Sequence, residues 1–150
     1  MDLDYLLNGL ADLIDDDLLV TELGAPPDGS VPRILWCNAA FTTQSGFPLD
    51  EIAGQPLDTL HGPETEPEAA RRLFAAMRAR RPAVEMLTQH DAEGRPGWFH
   101  LSLQQVIDGR DGTGFHVLIR RRMSARHGPG ALAAAQARAE EAQQLLWEAI

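Results

Sequence analysis

The amino-acid sequence predicts an α+β fold, in which helices connect strands that pair in antiparallel fashion. Two patterns support this prediction. Five runs rich in β-branched and aromatic residues are bounded by clusters of glycine, proline and polar residues, which is typical of strands joined by turns. The segments before, between and after these runs repeat apolar residues at spacings of three and four, which is typical of amphipathic helices.

The N-terminal segment predicts one amphipathic helix over residues 3–14. We expect it to end at the acidic residues 15–17, because negative charge is unfavourable near a helix C-terminus. Strands follow at 18–23 and 33–38, and the glycine- and proline-rich segment between them predicts a hairpin with a long loop. Asn38 is then placed to cap a short helix over residues 39–47. A further helical turn is predicted between Asp50 and Gly54.

The longest internal helix is predicted over residues 64–80. Thr65 and Glu68 have the spacing of a capping box, in which each side chain satisfies an unpaired backbone amide of the other residue. Several arginines lie on or beside this helix, and a nucleic-acid patch is one interpretation of them. We favour a solvated face with acids nearby, because no aromatic residues alternate with the arginines to stack on bases. These arginines are Arg71, Arg72, Arg78, Arg80 and Arg81.

Three more strands are predicted at 83–91, 98–108 and 115–122, followed by a helix over residues 131–150. Apolar residues of this helix alternate spacings of three and four, as the a and d positions of a coiled coil do. We expect the helix to continue into a downstream domain. The predicted division is an N-terminal cap helix (1–17), a central domain (18–123), a linker (124–130) and a connector helix (131–150).

Charge and motif content exclude several functional classes. The net charge is −9 and all 13 residues in the lysine-plus-arginine count are arginine, so we predict no nucleic-acid partner. The single cysteine, Cys37, excludes a disulfide framework, and no histidines have metal-ligand spacing, so we predict no metal site. No catalytic motif is present, so the domain is predicted not to be an enzyme. The acidic N-terminus is unlike a signal peptide, which predicts a cytoplasmic protein without direct membrane contact.

The element order and three motifs resemble those of PAS domains, whose fold is a five-stranded antiparallel sheet with helices on one face. The stretch "ILWCNAAFTTQSGFPLDEIAGQPL" is similar to the opening motifs of that family. The stretch "LHGPETEP", residues 60–67, resembles the segment after the reactive cysteine of light-oxygen-voltage (LOV) domains, which are PAS domains that bind flavin. The stretch "GWFHLSLQQVIDGRDG" is similar to the penultimate LOV strand and its turn.

The resemblance places the flavin-contacting positions of LOV domains on residues of different chemistry. The photoactive cysteine falls on Leu57, which has no thiol to bond to a flavin. The arginine that holds the flavin phosphate falls on Asp58, which reverses the charge. The asparagines that contact the flavin ring fall on Gln89 and Phe99, and the signalling glutamine falls on Arg120. The resemblance therefore implies a domain with no cofactor. Two remaining degenerate positions are His61 and Phe74.

Alternation along the last strand separates two faces. His116, Leu118 and Arg120 share the face that the resemblance turns toward the pocket, where we expect Arg120 to pair with Asp58 or to reach solvent. A carboxylate ligand for Arg120 is the alternative. The opposite, apolar face needs a cover, which we expect from the N-terminal helix of the same chain or of a partner. The predicted interface residues are Leu3, Leu6, Leu7, Leu10, Phe115, Val117, Ile119, Leu132 and Leu146.

We therefore predict a flavin-free, LOV-like PAS module for sensing and dimerisation in a bacterial multidomain signalling protein, such as a two-component system. It is expected to form a homodimer and to pass a signal through its C-terminal helix to an output domain. Two alternatives stay open. The domain senses a small molecule in a reduced pocket near Leu57, Gln89, Phe99 and Arg120, or it is a blue-light photoreceptor that binds flavin through altered contacts.

Overall fold

Five strands form the sheet: β1 (Asp17–Glu22), β2 (Ile34–Cys37), β3 (Ala83–His90), β4 (Pro96–Ile107) and β5 (Gly114–Met123). In this computed structural model every neighbouring pair is antiparallel and the order is β2-β1-β5-β4-β3. The first and last strands therefore lie side by side in the middle of the sheet. This confirms the predicted α+β fold with a five-stranded antiparallel sheet.

The structure describes residues 14–23, 31–107, 114–124 and 129–149, and it leaves the side chains of 107, 129–135 and 149 undescribed. Most of the predicted N-terminal helix, with its interface residues Leu3, Leu6, Leu7 and Leu10, lies outside the described residues. The side chain of Leu132 lies outside them too. These predictions stay predictions.

The helices are α1 (Ala39–Ser45), α2 (Leu49–Ile52), α3 (Pro67–Arg78) and α4 (Pro129–Ala149), with a 3-10 turn at Leu57–Leu60. All four helices were predicted, with boundaries that differ by a few residues. The 3-10 turn was not predicted, because four residues are too few to show a helical period.

Asn38 caps α1 as predicted, and its side chain also bonds to the backbone at the start of β1. Its Oδ1 accepts hydrogen bonds from the backbone amides of Phe41 and Leu18, both at 3.0 Å. Its Nδ2 donates to the carbonyl of Asp16, also at 3.0 Å. The side chain is 3% exposed, so these contacts satisfy polar groups that have little access to water. One residue thus holds the first helix against the first strand.

The inner face of the sheet packs against α1, the 3-10 turn and α3. Leu118 of β5 belongs to this cluster, as the alternation of the strand predicted. The aromatic ring of Phe41 and the side chains of Leu73 and Met77 approach it from the helices, and each is at most 1% exposed. Burial of such side chains is the main favourable term in folding. Further members from the strands are Leu19, Leu87, Leu101 and Leu103.

The outer face of the sheet is covered by α4. Val117 and Ile119 of β5 are 3% and 1% exposed and share a cluster with Ala139, Ala142 and Leu146 of the helix. These helical residues belong to the face that the heptad spacing predicted as an interhelical seam. In the structure the same face contacts the chain's own sheet. The apolar stripe of a helix can be buried against a sheet as well as against another helix, and the spacing alone does not distinguish the two.

The predicted capping box of α3 is wrong. Pro67 occupies the first turn of the helix and Glu66 is the N-cap residue, so Thr65 lies outside the helix. Thr65 Oγ1 instead accepts from the amide of Gly62 at 3.0 Å and donates to the carbonyl of Thr88 at 2.7 Å. Glu68 is exposed in the first turn and pairs with Arg71.

Both edges of the sheet carry a covering segment. At the β3 edge the Glu66 carboxylate accepts from the amide and the hydroxyl of Thr88, each at 2.7 Å. At the β2 edge the amide of Ile34 donates to the carbonyl of Gln55 at 2.8 Å. The amide of Gly54 donates to the carbonyl of Ile34 at 2.7 Å. Such contacts occupy backbone groups that otherwise invite pairing with another chain.

We predict that Thr65→Val lowers the free energy of unfolding by about 1 kcal/mol, because it leaves the Gly62 amide and the Thr88 carbonyl without this hydroxyl. Glu68→Ala is the matched control and should change it by less than about 0.5 kcal/mol, since an exposed ion pair contributes little. Urea unfolding followed by circular dichroism measures both. A larger loss for Glu68→Ala than for Thr65→Val would contradict these contacts and support the capping box instead.

We also predict that Leu146→Ala lowers the free energy of unfolding by about 2 kcal/mol, the low end for a buried leucine, because a helix on a sheet can shift into the space. Leu49→Ala makes the same chemical change at a side chain that is 38% exposed, and it should cost less than about 0.5 kcal/mol. Equal losses in urea unfolding would contradict the docking of α4 on the sheet.

Candidate functional site

A buried arginine lies at one of the positions that the LOV resemblance assigns to flavin contacts. Arg120 is 2% exposed on β5, and the sheet register sets it directly opposite Asp17 of β1. Its Nε and Nη2 both lie 2.8 Å from Oδ2 of Asp17, whose side chain is 6% exposed. The predicted pair of Arg120 with Asp58 is therefore wrong, and Asp58 is exposed on the 3-10 turn.

The Arg120 guanidinium has three further contacts. Its Nη1 donates to Oε1 of Gln89 at 3.1 Å. Its central carbon lies 3.8 Å from the ring centre of Phe99 and 4.7 Å from that of Phe41. A desolvated cation on an aromatic face gains about 2 kcal/mol. The charge is thus held by one carboxylate, one amide oxygen and two rings.

The contacts continue from Gln89 to the far side of the interior. Gln89 Nε2 lies 3.4 Å from Nε2 of His61, and the His61 ring centre lies 5.4 Å from that of Phe74. Five of the seven positions that the resemblance assigned to flavin contacts therefore form a continuous chain of contacts in space. They are Phe74, His61, Gln89, Arg120 and Phe99. We name this set, together with Asp17, the interior network.

Buried side chains and two spaces of different size lie beside the interior network. Leu57, at the position of the family's cysteine, is fully buried in the apolar cluster. A cavity of about 10 Å³ lies next to Gln89, Phe99 and Arg120, which is room for no more than one water molecule. A larger depression of about 230 Å³ is open to the surface, and Arg120 lines it together with acidic residues 15–17 and with Arg121, Arg122 and Arg138.

Burial works against the charge of each ionisable group in the interior network. It raises the pKa of the Asp17 carboxyl, and Arg120 acts in the opposite direction. It lowers the pKa of Arg120, which Asp17 opposes in turn. It also lowers the pKa of His61. Each partner of the ion pair therefore offsets part of the desolvation cost of the other, which makes the two side chains interdependent.

Residues 19–120 match the PAS domain family, and this range runs from β1 through β5 over more than half of the chain. The chain belongs to the PAS domain family. Structural neighbours of this PAS domain include LOV domains. One, from work with a flavin analogue, is 20% identical and covers 93% of this chain and 96% of its own, with a TM-score of 0.69. The LOV domain of the Erythrobacter litoralis EL346 blue-light activated histidine kinase is 24% identical, with 73% and 96% covered and a TM-score of 0.64.

Curated relatives of this PAS domain are named as blue-light-activated histidine kinases of bacteria. "Blue-light-activated histidine kinase 1" of Erythrobacter litoralis is 31% identical over 80 residues, which is 53% of this chain. The "Blue-light-activated histidine kinase" of Rhizobium johnstonii is 33% identical over 95 residues, which is 63% of this chain. The matched regions are 22% and 26% of the relatives' lengths, so the chain corresponds to a part of each.

The segment that resembles LOV domains most, residues 60–67, docks this PAS domain's α3 onto β3. His90 Nε2 bonds to the carboxylate of Glu64, and this bond lowers the pKa of that carboxyl. A Cβ at position 62 would lie 2.7 Å from the His90 ring, which explains the glycine there. With the Thr65 and Glu66 contacts to Thr88, these bonds give the segment a folding role that needs no flavin.

The other candidate residues have structural roles. Burial raises the pKa of the Cys37 thiol, which disfavours the reactive thiolate. His116 Nε2 lies 3.2 Å from the carbonyl oxygen of Met77. Across residues 14–23, 31–107, 114–124 and 129–149, no cluster of three His, Cys, Asp or Glu side chains could hold a metal ion. In the same ranges, no helix has the length and apolar character needed to cross a membrane.

We predict that Arg120→Met lowers the free energy of unfolding by about 3 to 5 kcal/mol, because it leaves the Asp17 charge buried without its partner. The double variant Asp17→Leu with Arg120→Met removes both charges and should lose less than the single variant. Arg122→Met is the control, since Arg122 is exposed on the same strand. Urea unfolding of the wild type, the single variants Asp17→Leu and Arg120→Met, the double variant and the control measures the coupling. Additive losses at Asp17 and Arg120 would contradict an energetically coupled pair.

Proposed function

We propose that the protein is a flavin-free PAS sensory domain of a bacterial multidomain signalling protein, and that it passes a signal through α4 to an output domain. The observation that carries this proposal is the buried Arg120. Its guanidinium is bonded to Asp17 and stacked on Phe99 and Phe41, at a position that the LOV resemblance assigns to flavin contact.

The residues of the interior do not fit a flavin. Binding sites for small organic molecules have volumes of about 300 to 1,000 Å³. The cavity beside Gln89, Phe99 and Arg120 has about 10 Å³, and the open depression that Arg120 also lines has about 230 Å³. The thiol needed for a flavin adduct is replaced by the buried Leu57, which has no nucleophile. To make room for a flavin, the side chains of Phe99 and Arg120 would have to leave the interior. That movement would break the ion pair between Arg120 and Asp17. These observations favour a flavin-free domain over both a photoreceptor and a small-molecule sensor with an interior ligand.

The contacts of α4 support its role as the transmitter. Two polar contacts join it to β4, between His100 and Gln136 at 3.0 Å and between Gln143 and Ser102 at 2.5 Å. The apolar contacts of Ala139 and Ala142 lie against β5, which also carries Arg120 on its opposite face. Arg120 and α4 are therefore separated only by β5, so a change in the contacts of Arg120 can reach the helix through this strand.

An output domain in the same parent protein is supported by the relatives, which are named as histidine kinases and are about four times longer than the matched region. We also propose a cytoplasmic homodimer. Trp147 of α4 supports the dimer, since 54% of it is exposed and tryptophan is enriched at protein interfaces. The predicted interface residues Val117, Ile119 and Leu146 are occupied by contacts between the sheet and α4 within the chain.

The test is purification of the chain and measurement of its visible absorbance, alone and after addition of flavin mononucleotide. We expect no flavin band in the purified protein, and no quenching of flavin fluorescence on addition. A variant with Phe99→Ala and Arg120→Ala, made in the Asp17→Leu background to avoid a lone charge, tests whether space is the limiting factor. We expect this variant to bind more flavin than the wild type does.

A flavin that copurifies with the wild-type chain would overturn the proposal. Mass spectrometry of the denatured protein identifies any other bound small molecule, which would favour the small-molecule sensor. Static light scattering of the same sample gives the oligomeric state, and a mass near 16.4 kDa would contradict the homodimer.

A further inference from the structure

The Gln89 carboxamide lies between a group that can only donate hydrogen bonds and a ring nitrogen. Arg120 Nη1 lies 3.1 Å from Gln89 Oε1, and a guanidinium has no acceptor atom. The amide oxygen is therefore held toward Arg120, which turns the amide NH₂ toward His61. The distance from Gln89 Nε2 to His61 Nε2 is 3.4 Å. Since the amide nitrogen only donates, His61 Nε2 must accept, which fixes a neutral imidazole that carries its proton on Nδ1.

We propose that the ligand sensed by this domain is a proton, which binds His61 and is read out by the orientation of the Gln89 carboxamide. This inference rests on the proposed flavin-free function, because that function assigns the interior space to His61, Gln89 and Arg120. The proposal adds the identity of the signal and the first step of its transmission.

Proton uptake reverses the polarity of the contact between His61 and Gln89. The proton adds to Nε2 of His61, so that both ring nitrogens carry N–H groups. The new N–H faces the NH₂ group of Gln89, and two donors cannot share a hydrogen bond. Rotation of the carboxamide by half a turn brings Oε1 to His61 and restores the bond. The same rotation removes the acceptor of Arg120 Nη1, while the bonds of Arg120 to Asp17 remain.

The charged groups around His61 come from several elements. Burial is the largest influence and lowers its pKa from the ordinary 6.5. Asp58, on the adjoining 3-10 turn, raises it, and His90 of β3 lowers it. The neighbour from α3 is the uncharged ring of Phe74, and the Arg120 charge on β5 is separated from His61 by Gln89 and paired with Asp17. His61 is therefore neutral at neutral pH and becomes charged on acidification.

Two other histidines titrate without touching the Gln89 amide, which makes them controls. Burial also lowers the pKa of His100 and of His116. His100 lies on the outer face and contacts Gln136 of α4, while His116 contacts the Met77 carbonyl. A pH response that depends on His61 alone therefore separates the proposed sensor from general titration of buried histidines.

The experiment is a pH titration of the 150-residue chain labelled with ¹⁵N, followed by NMR of its imidazole, side-chain amide and guanidinium groups. In the wild type we expect neutral His61 as the Nδ1–H tautomer. We also expect one common midpoint below pH 6.5 for His61, for the Gln89 side-chain amide and for Arg120 Nη1. His100→Gln should leave these titrations unchanged.

Two substitutions at Gln89 test the relay itself. In Gln89→Leu, His61 should still titrate, but Arg120 Nη1 should no longer follow it. In Gln89→Glu, a carboxylate accepts from both neighbours, so the pKa of His61 should rise by about one unit or more. The tautomer of His61 and the common midpoint are measured on the wild type. They therefore test the proposal even if a Gln89 variant fails to fold.

An Nε2–H tautomer for neutral His61 would overturn the relay. So would a Gln89 amide whose shifts do not follow the His61 midpoint. The absorbance spectrum of the same sample reports separately on the proposed function. A flavin band would overturn that function, whereas the tautomer and the shared midpoint decide the relay.

Discussion

The buried ion pair between Asp17 and Arg120 is the interaction on which the interior of this protein depends. It links the first residue of β1 to the last strand across 103 positions in sequence, and both strands lie at the centre of the sheet. Removing two charges from water has a large cost that their attraction offsets only in good geometry. The two bonds of 2.8 Å and the Gln89 oxygen provide that geometry.

That requirement explains why the residues around Arg120 have to suit one another in chemistry. Once a guanidinium lies in the interior, a facing carboxylate must be present on β1 and an amide oxygen on β3. Aromatic rings such as Phe99 and Phe41 then fill the space on the faces of the cation. An arginine at position 120 without these neighbours would be a buried, uncompensated charge, so the residues function as a set.

The fold was predictable from the sequence because its signals are local. Alternation, turn clusters and the cap at Asn38 each depend on residues a few positions apart, and they placed the strands and helices within a few residues. The partner of Arg120 depends instead on the register between β1 and β5. Asp17 was interpreted as part of an acidic helix end, although alternation puts it on the same face of β1 as Leu19. The capping box failed for a related reason, since the groups that Thr65 bonds include Thr88, 23 positions away.

Periodicity also left the partner of α4 open. Spacings of three and four identify an apolar face, and both a second helix and a sheet can cover such a face. The structure places Ala139, Ala142 and Leu146 on the sheet. The apolar face of α4 was thus predicted correctly. Its packing partner could be predicted only by matching that face to the apolar surface that Val117 and Ile119 form on the sheet.

The proposed flavin-free interior has a consequence for how the folded protein is maintained. A receptor that binds a cofactor only in its native form gains stability in proportion to the logarithm of the cofactor's concentration, so its abundance tracks the supply of that molecule. Here Arg120, Phe99 and Leu57 are supplied with the chain itself. In the flavin-free function proposed above, the population of the native state is set by sequence and temperature, without dependence on the supply of flavin.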